Sequence, residues 1–257
     1  MIGFIIFLLT TSNGFAKNVE TIRYVALGDS YTIGTGADAR DSWPTVLTQH
    51  LRSRGIAIEL VANLGRNGWT TRDVIAYQLP VFKSLNPAFA TLLIGVNDWV
   101  QGFDRTTFQK NLQILLDEIL LKLPDKSRLL LITIPDFSVM PMGSQPIRRA
   151  QSKGRGLLRV DSERPILAPA MGGGAYVKSK SHFSDGRNIS KGIDEYNVII
   201  TQEARARGLR VVDINPFSKT MGKNPKLVSP DGLHPSAQGY AQWEQLIFSQ
   251  AEKILRK

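Results

Sequence analysis

From residue 22 onward, short apolar runs alternate with segments of helical periodicity, and no other feature of the sequence restricts the fold as strongly. Residues 22–27 form one such run, with β-branched and aromatic members, stopped by Gly28. Asp41-Ser42-Trp43-Pro44 then supplies a capping residue and a first-turn proline, and Val46, Leu47 and Leu51 continue at helical spacing until Gly55. Further strands are predicted over 56–62, 89–94, 129–134 and 209–214, and helices over 70–79, 106–123, 193–207 and 236–255. Strands that are apolar nearly throughout, rather than alternating, are strands covered on both faces. The expectation is an α/β fold, with three α/β/α layers built on a five-stranded parallel sheet. Its working site should lie beyond the carboxyl ends of the strands.

Residues 138–188 break the rhythm. A connection of about fifty residues without periodicity is long for a compact domain, and this one carries nine basic residues against three acidic ones. The whole chain has a formal charge of +10, so more than half of the excess sits here. The segment reads as a basic insertion, a lid or a docking surface for an anionic partner, or as a solvated loop without a role. Around it, residues 17–257 are expected to form one domain, since 257 residues of ordinary globular composition can share a single core.

Cysteine is absent, which excludes disulfides, a thiol nucleophile and Cys-held metal or iron–sulfur sites. With only His50, His182 and His234 available, far apart in sequence, a three-His metal centre is not expected. Gly172-Gly173-Gly174 lacks the spacing of a phosphate loop and follows no strand. At the N-terminus, the apolar run 2–9 is too short to span a membrane, which takes about 20 residues. Followed by Gly14-Phe15-Ala16, it reads as a signal peptide covering 1–16, although no Lys or Arg precedes it. That reading places the protein in the periplasm or outside the cell. A buried first strand and a cytoplasmic location are the alternative.

Four short motifs carry the polar chemistry. Gly28-Asp29-Ser30-Tyr31 follows the first strand, where a serine at a strand-to-helix turn is held clear of the sheet within reach of a base. It is not a nucleophile elbow, because Thr32 stands where Gly-x-Ser-x-Gly needs its second glycine. Asp231-Gly232-Leu233-His234 precedes the last helix, its carboxylate three residues from an imidazole whose tautomer it can hold. Asn63-Leu64-Gly65-Arg66-Asn67-Gly68-Trp69-Thr70 follows the second strand and offers glycine N–H groups that a ligand can approach closely. Gly95-Val96-Asn97-Asp98 follows the third and offers an amide donor for an anionic oxygen. Each has a plain structural reading beside it: a turn or helix cap for Ser30, a cap on the last helix for Asp231 and His234, a glycine turn, and an Asx turn for Asn97.

Taken together and in this order, the four motifs resemble those of the SGNH (GDSL-type) hydrolase superfamily, over about residues 22–250 apart from the insertion. The resemblance implies a flavodoxin-like three-layer fold and hydrolysis of carboxylic esters or thioesters through an acyl-enzyme, without a metal or organic cofactor. It makes Ser30 the nucleophile, His234 the base and Asp231 its orienting carboxylate. It makes the Ser30 N–H, the Gly68 N–H and the Asn97 amide the oxyanion hole, with Gly65 second to Gly68 because Gly68 opens the Gly-x-Thr pattern. Tyr31 stands where leucine is common, which leaves these roles intact. Trp69 directly follows Gly68 and Trp99 stands two residues after Asn97, as walls of an acyl pocket or as core. The expected substrates are small-molecule, lipid or acylated-sugar esters, with a carbohydrate O-acetyl esterase as the alternative within the class. Outside the class stands a basic polyanion-binding protein without activity; the basic residues lack the aromatic interleaving of a nucleic-acid surface.

Overall fold

The computed structural model describes residues 20–142 and 186–256. The expected signal segment, most of the basic insertion, His182 and the triple glycine lie outside the described residues. Five strands form one parallel sheet in the order β2-β1-β3-β4-β5: β1 (Ile22–Gly28), β2 (Ile58–Asn63), β3 (Phe89–Leu93), β4 (Leu129–Ile132) and β5 (Arg210–Val212). Every residue of β3 and β4 is buried, as is β1 from Tyr24 onward. That burial on both faces accounts for the unbroken apolar runs.

The covering helices explain the two-sidedness. α2 (Trp43–Ser53) and α9 (Ala237–Leu255) pack on each other along one face, anchored by Trp43 and Trp243, both fully buried. On the other face α6 (Arg105–Lys122) packs against α7 (Gly186–Ala206) and against α3 (Thr71–Asp73) and α4 (Leu79–Ser84). The chain reverses its winding direction between β1 and β3, and it is outside the carboxyl ends of such a pair that doubly wound sheets place their ligands.

Several elements depart from the sequence expectation. β2 starts at Ile58 rather than 56, because the Ile56 N–H donates to Leu51 O and closes the end of α2 instead. The predicted helix 70–79 runs on to Ser84, passing through one π-helical turn at Val74–Gln78. Pro80 does not end it: following that turn, it sits in the first turn of α4, where its missing N–H costs least. α7 begins seven residues before the predicted 193, since Ile189, Ile193, Tyr196 and Ile200 are all buried at helical spacing. Three short helices were not foreseen: α1 (Ser30–Ile33), α5 (Val96–Val100) and α8 (Asn215–Met221). α1 and α5 directly follow β1 and β3 and carry the first and third motifs.

Candidate active site

β1 ends in Gly28, and Asp29 accepts a hydrogen bond from the Tyr31 N–H at 3.0 Å, capping α1. The cap being Asp29, the Ser30 hydroxyl is released from the turn role that a serine after Gly-Asp often has. It meets His234 Nε2 at 2.9 Å across 204 residues of sequence. The other ring nitrogen, Nδ1, lies 2.6 Å from Asp231 Oδ2. The remaining oxygen of Asp231 accepts from the Ser229 hydroxyl at 2.6 Å and from the backbone N–H groups of Leu233 and His234 at 2.8 and 2.9 Å. Burial alone would raise its pKa, but these four donors outweigh it and hold the carboxyl well below the usual range. An ionised Asp231 keeps a proton on Nδ1 and leaves Nε2 free to take one from Ser30. The helix-cap alternative for Asp231 does not hold: Ser236 caps α9, accepting from the Gly239 N–H at 3.2 Å.

Tyr31, buried, lies behind the imidazole with ring centroids 5.3 Å apart, and itself packs on Trp243 at 5.6 Å. Its backbone oxygen, which any residue would supply, accepts from Trp43 Nε1 at 3.0 Å, so the nucleophile turn is tied to both tryptophans of the core, to Trp243 by the tyrosine ring that replaces leucine.

The expected oxyanion donors are the N–H groups of Ser30 and Gly68 and the amide of Asn97. The Trp69 N–H donates to Arg66 O at 3.4 Å, closing a turn in which Gly68 has φ +76°. A side chain there would meet no atom, so glycine is required by the backbone angle and not by space. No group among the described residues takes up the N–H of Gly68 or of Ser30. Gly65 is different. Its N–H donates to Asn63 Oδ1 at 3.1 Å, and a Cβ on it would lie 2.7 Å from Asp29 O, so it packs the second-strand loop onto the nucleophile turn. Asn97 donates one amide hydrogen to Trp69 O at 2.9 Å, which aims the second and joins its loop to that of Gly68. This is not an Asx turn.

Two buried carboxyls, Asp29 and Asp98, lie next to these donors in sequence, and neither was singled out by the sequence reading. Burial, partly offset by the hydrogen bond from Tyr31 and reinforced by Asp98, pushes Asp29 up to about 8, and its Oδ2 has no partner among the described residues. Burial likewise raises Asp98 to about 6, against the N–H and hydroxyl of Thr71, both of which donate to it. Asn111 on α6 in turn donates to Thr71 Oγ1 at 2.9 Å, so that Thr71, at the start of α3, joins α5 to α6. Ser229 was also missed; its position two residues before Asp231 was the available signal.

Trp69 and Trp99 are both half-buried. The first pairs with Tyr77 at 5.5 Å, and the second meets Phe137 edge-on at 6.1 Å. His50 is structural: it stacks on Phe248 and its Nδ1 lies 3.1 Å from Glu244 Oε1, linking α2 to α9.

Residues 26–242 match the model of the GDSL-like lipase/acylhydrolase family. Among solved structures, TesA superposes with a TM-score of 0.62 at 17% identity, with 91% of this chain and 99% of TesA covered. The family 3 carbohydrate esterase of Clostridium thermocellum gives 0.63 at 20%, covering 92% and 98%. Axe2, an acetylxylan esterase from Geobacillus stearothermophilus, gives 0.58 at 17%, covering 90% and 94%. At such identities the likeness is one of fold. No curated protein matches the chain in sequence.

Proposed function

Because the chain belongs to the GDSL-like lipase/acylhydrolase family and is an ester-hydrolysing enzyme, we propose that Ser30 is its nucleophile, His234 its general base and Asp231 the carboxylate that orients the base. The observation that carries the assignment is the continuous line from Ser30 Oγ through both nitrogens of His234 to Asp231, at 2.9 and 2.6 Å. Ser30 Oγ attacks the ester carbonyl while Nε2 takes its proton. The carbonyl oxygen becomes an oxyanion, held by the N–H groups of Ser30 and Gly68 and by the free amide hydrogen of Asn97. Removing one such donor typically raises the barrier by ~3 kcal/mol. The imidazolium, stabilised by Asp231, returns the proton to the departing alcohol, and water repeats the sequence on the acyl-enzyme.

For the substrate we propose an acylated sugar. Two features support it: the half-buried Trp69 with its exposed neighbour Tyr77, an aromatic surface beside Gly68 on which a sugar ring can lie, and the carbohydrate esterases among the structures of the same fold. Export, supported by the apolar run 2–9 and Gly14-Phe15-Ala16, would bring such polymers within reach. The test compares acetylated xylooligosaccharides with a p-nitrophenyl series from acetate to palmitate. Preference for the sugar acetates over every aryl ester of equal acyl length supports the reading; a steady gain towards palmitate overturns it in favour of a lipase. Covalent labelling by an organophosphonate should modify Ser30 and no other residue.

A further inference from the structure

The pairing of β1 with β2 ends at Ala26 and Asn63, while its pairing with β3 continues to Gly28 and Leu93. Beyond Ala26 the β2 side of β1 therefore has no strand to bond to. Gly28, the last residue of β1, stands two residues before Ser30; without Gln78 its N–H would be buried with no partner among the described residues, and its carbonyl would keep only the Arg66 N–H, at 3.4 Å. The side chain of Gln78 fills the gap. The Gly28 N–H donates to Gln78 Oε1 at 3.0 Å, and Gln78 Nε2 donates to Gly28 O at 2.7 Å. A primary amide presents a donor and an acceptor side by side, as a neighbouring strand would, and Gln78 is only 2% exposed.

The helix is built to deliver that amide. Gln78 closes the π turn Val74–Gln78, in which the Leu79 N–H donates to Val74 O. A π turn holds one residue more than an α turn, and each residue of an α-helix rotates the chain by about 100°. Without the extra residue, position 78 would point elsewhere. Backbone at Gly28 has no slack to drift: its φ is +151°, and a Cβ there would lie 2.2 Å from Leu93 O.

We infer that Gln78 is a positioning residue for the reaction: its amide, turned onto the sheet by the π turn, clamps both peptide groups of Gly28 and so sets where Ser30 Oγ and the Ser30 N–H stand. It touches no reacting atom and acts through two residues of backbone. The inference rests on Ser30 being the nucleophile, and the failure of that assignment shows separately, as activity surviving in Ser30→Ala.

Two substitutions test it, with p-nitrophenyl acetate as substrate and organophosphonate labelling of Ser30 as a second readout. Gln78→Met keeps the shape and removes both hydrogen bonds. It should lower kcat and the labelling rate together by tenfold or more, with KM within about twofold. A folded Gln78→Met enzyme with wild-type kcat overturns the inference. Gln78→Glu is the sharper probe and stands if the first variant fails to fold. A protonated carboxyl can replace the amide, accepting from the Gly28 N–H and donating to Gly28 O, whereas a carboxylate cannot donate. The ratio of Gln78→Glu to wild-type kcat should therefore be near one at low pH and fall at least tenfold as the pH rises. Asp29 and Arg66 on the adjoining loops, Asp73 on the same helix and Asp98 on α5 are present in both proteins, so their titration largely cancels in the ratio. A ratio that does not change between pH 5 and 9 overturns the inference.

Discussion

Replacing Asp29 by asparagine should change the pH dependence of stability in a definite direction. In the folded protein Asp29 is fully buried, one oxygen has no partner among the described residues, and its pKa is lifted from an ordinary 3.8 to about 8. The fold thus holds a proton that the unfolded chain releases. Between about pH 4 and pH 8 the native state binds one proton more, so stability falls with rising pH across that window, by about 1.4 kcal/mol per pH unit. Below it both states are protonated and above it both are ionised, so the slope vanishes at either end. Asparagine is neutral throughout and can still accept from the Tyr31 N–H. Urea unfolding of both proteins at pH 5, 6, 7, 8 and 9 should show the variant gaining on the wild type at each step to pH 8, by several kcal/mol in all, and levelling off beyond. A stability difference that is independent of pH would refute the claim that Asp29 is neutral in the fold.

Ser30→Ala should reduce ester hydrolysis below about 1% of wild type, since losing a triad member costs several powers of ten; its thermal midpoint should move by no more than a few degrees. Asp231→Asn should lower kcat by about 10³–10⁴ with little change in KM, because an amide at Oδ2 favours the wrong imidazole tautomer; an unaltered rate would reduce Asp231 to a loop residue. For Asn97→Ala the expected loss is about a hundredfold in kcat at constant KM, since the amide meets the oxyanion and not the ground-state carbonyl. A rise in KM alone would mean that it positions substrate.

What the sequence determines here is whatever a local stretch can state about itself. An apolar run in which nearly every residue is hydrophobic, as over 89–94, can only be a strand covered on both faces, and five of them with helices between leave few topologies. The motifs are local too: Asp231 and His234 lie three residues apart, and their contact is made within one loop. The tertiary structure decided everything that depends on distant groups competing for the same hydrogen bonds. Ser30 and His234 meet because α9 packs across α2, 204 residues along the chain. That Gly68 offers its N–H while Gly65 does not turns on Asn63, which occupies one of them. The π turn and its passage through Pro80 have no signature in helical propensity, because what stabilises them is a buried amide satisfying Gly28, 50 residues away. Buried polar groups must find partners wherever the fold brings them, and a sequence read in windows does not contain those partners.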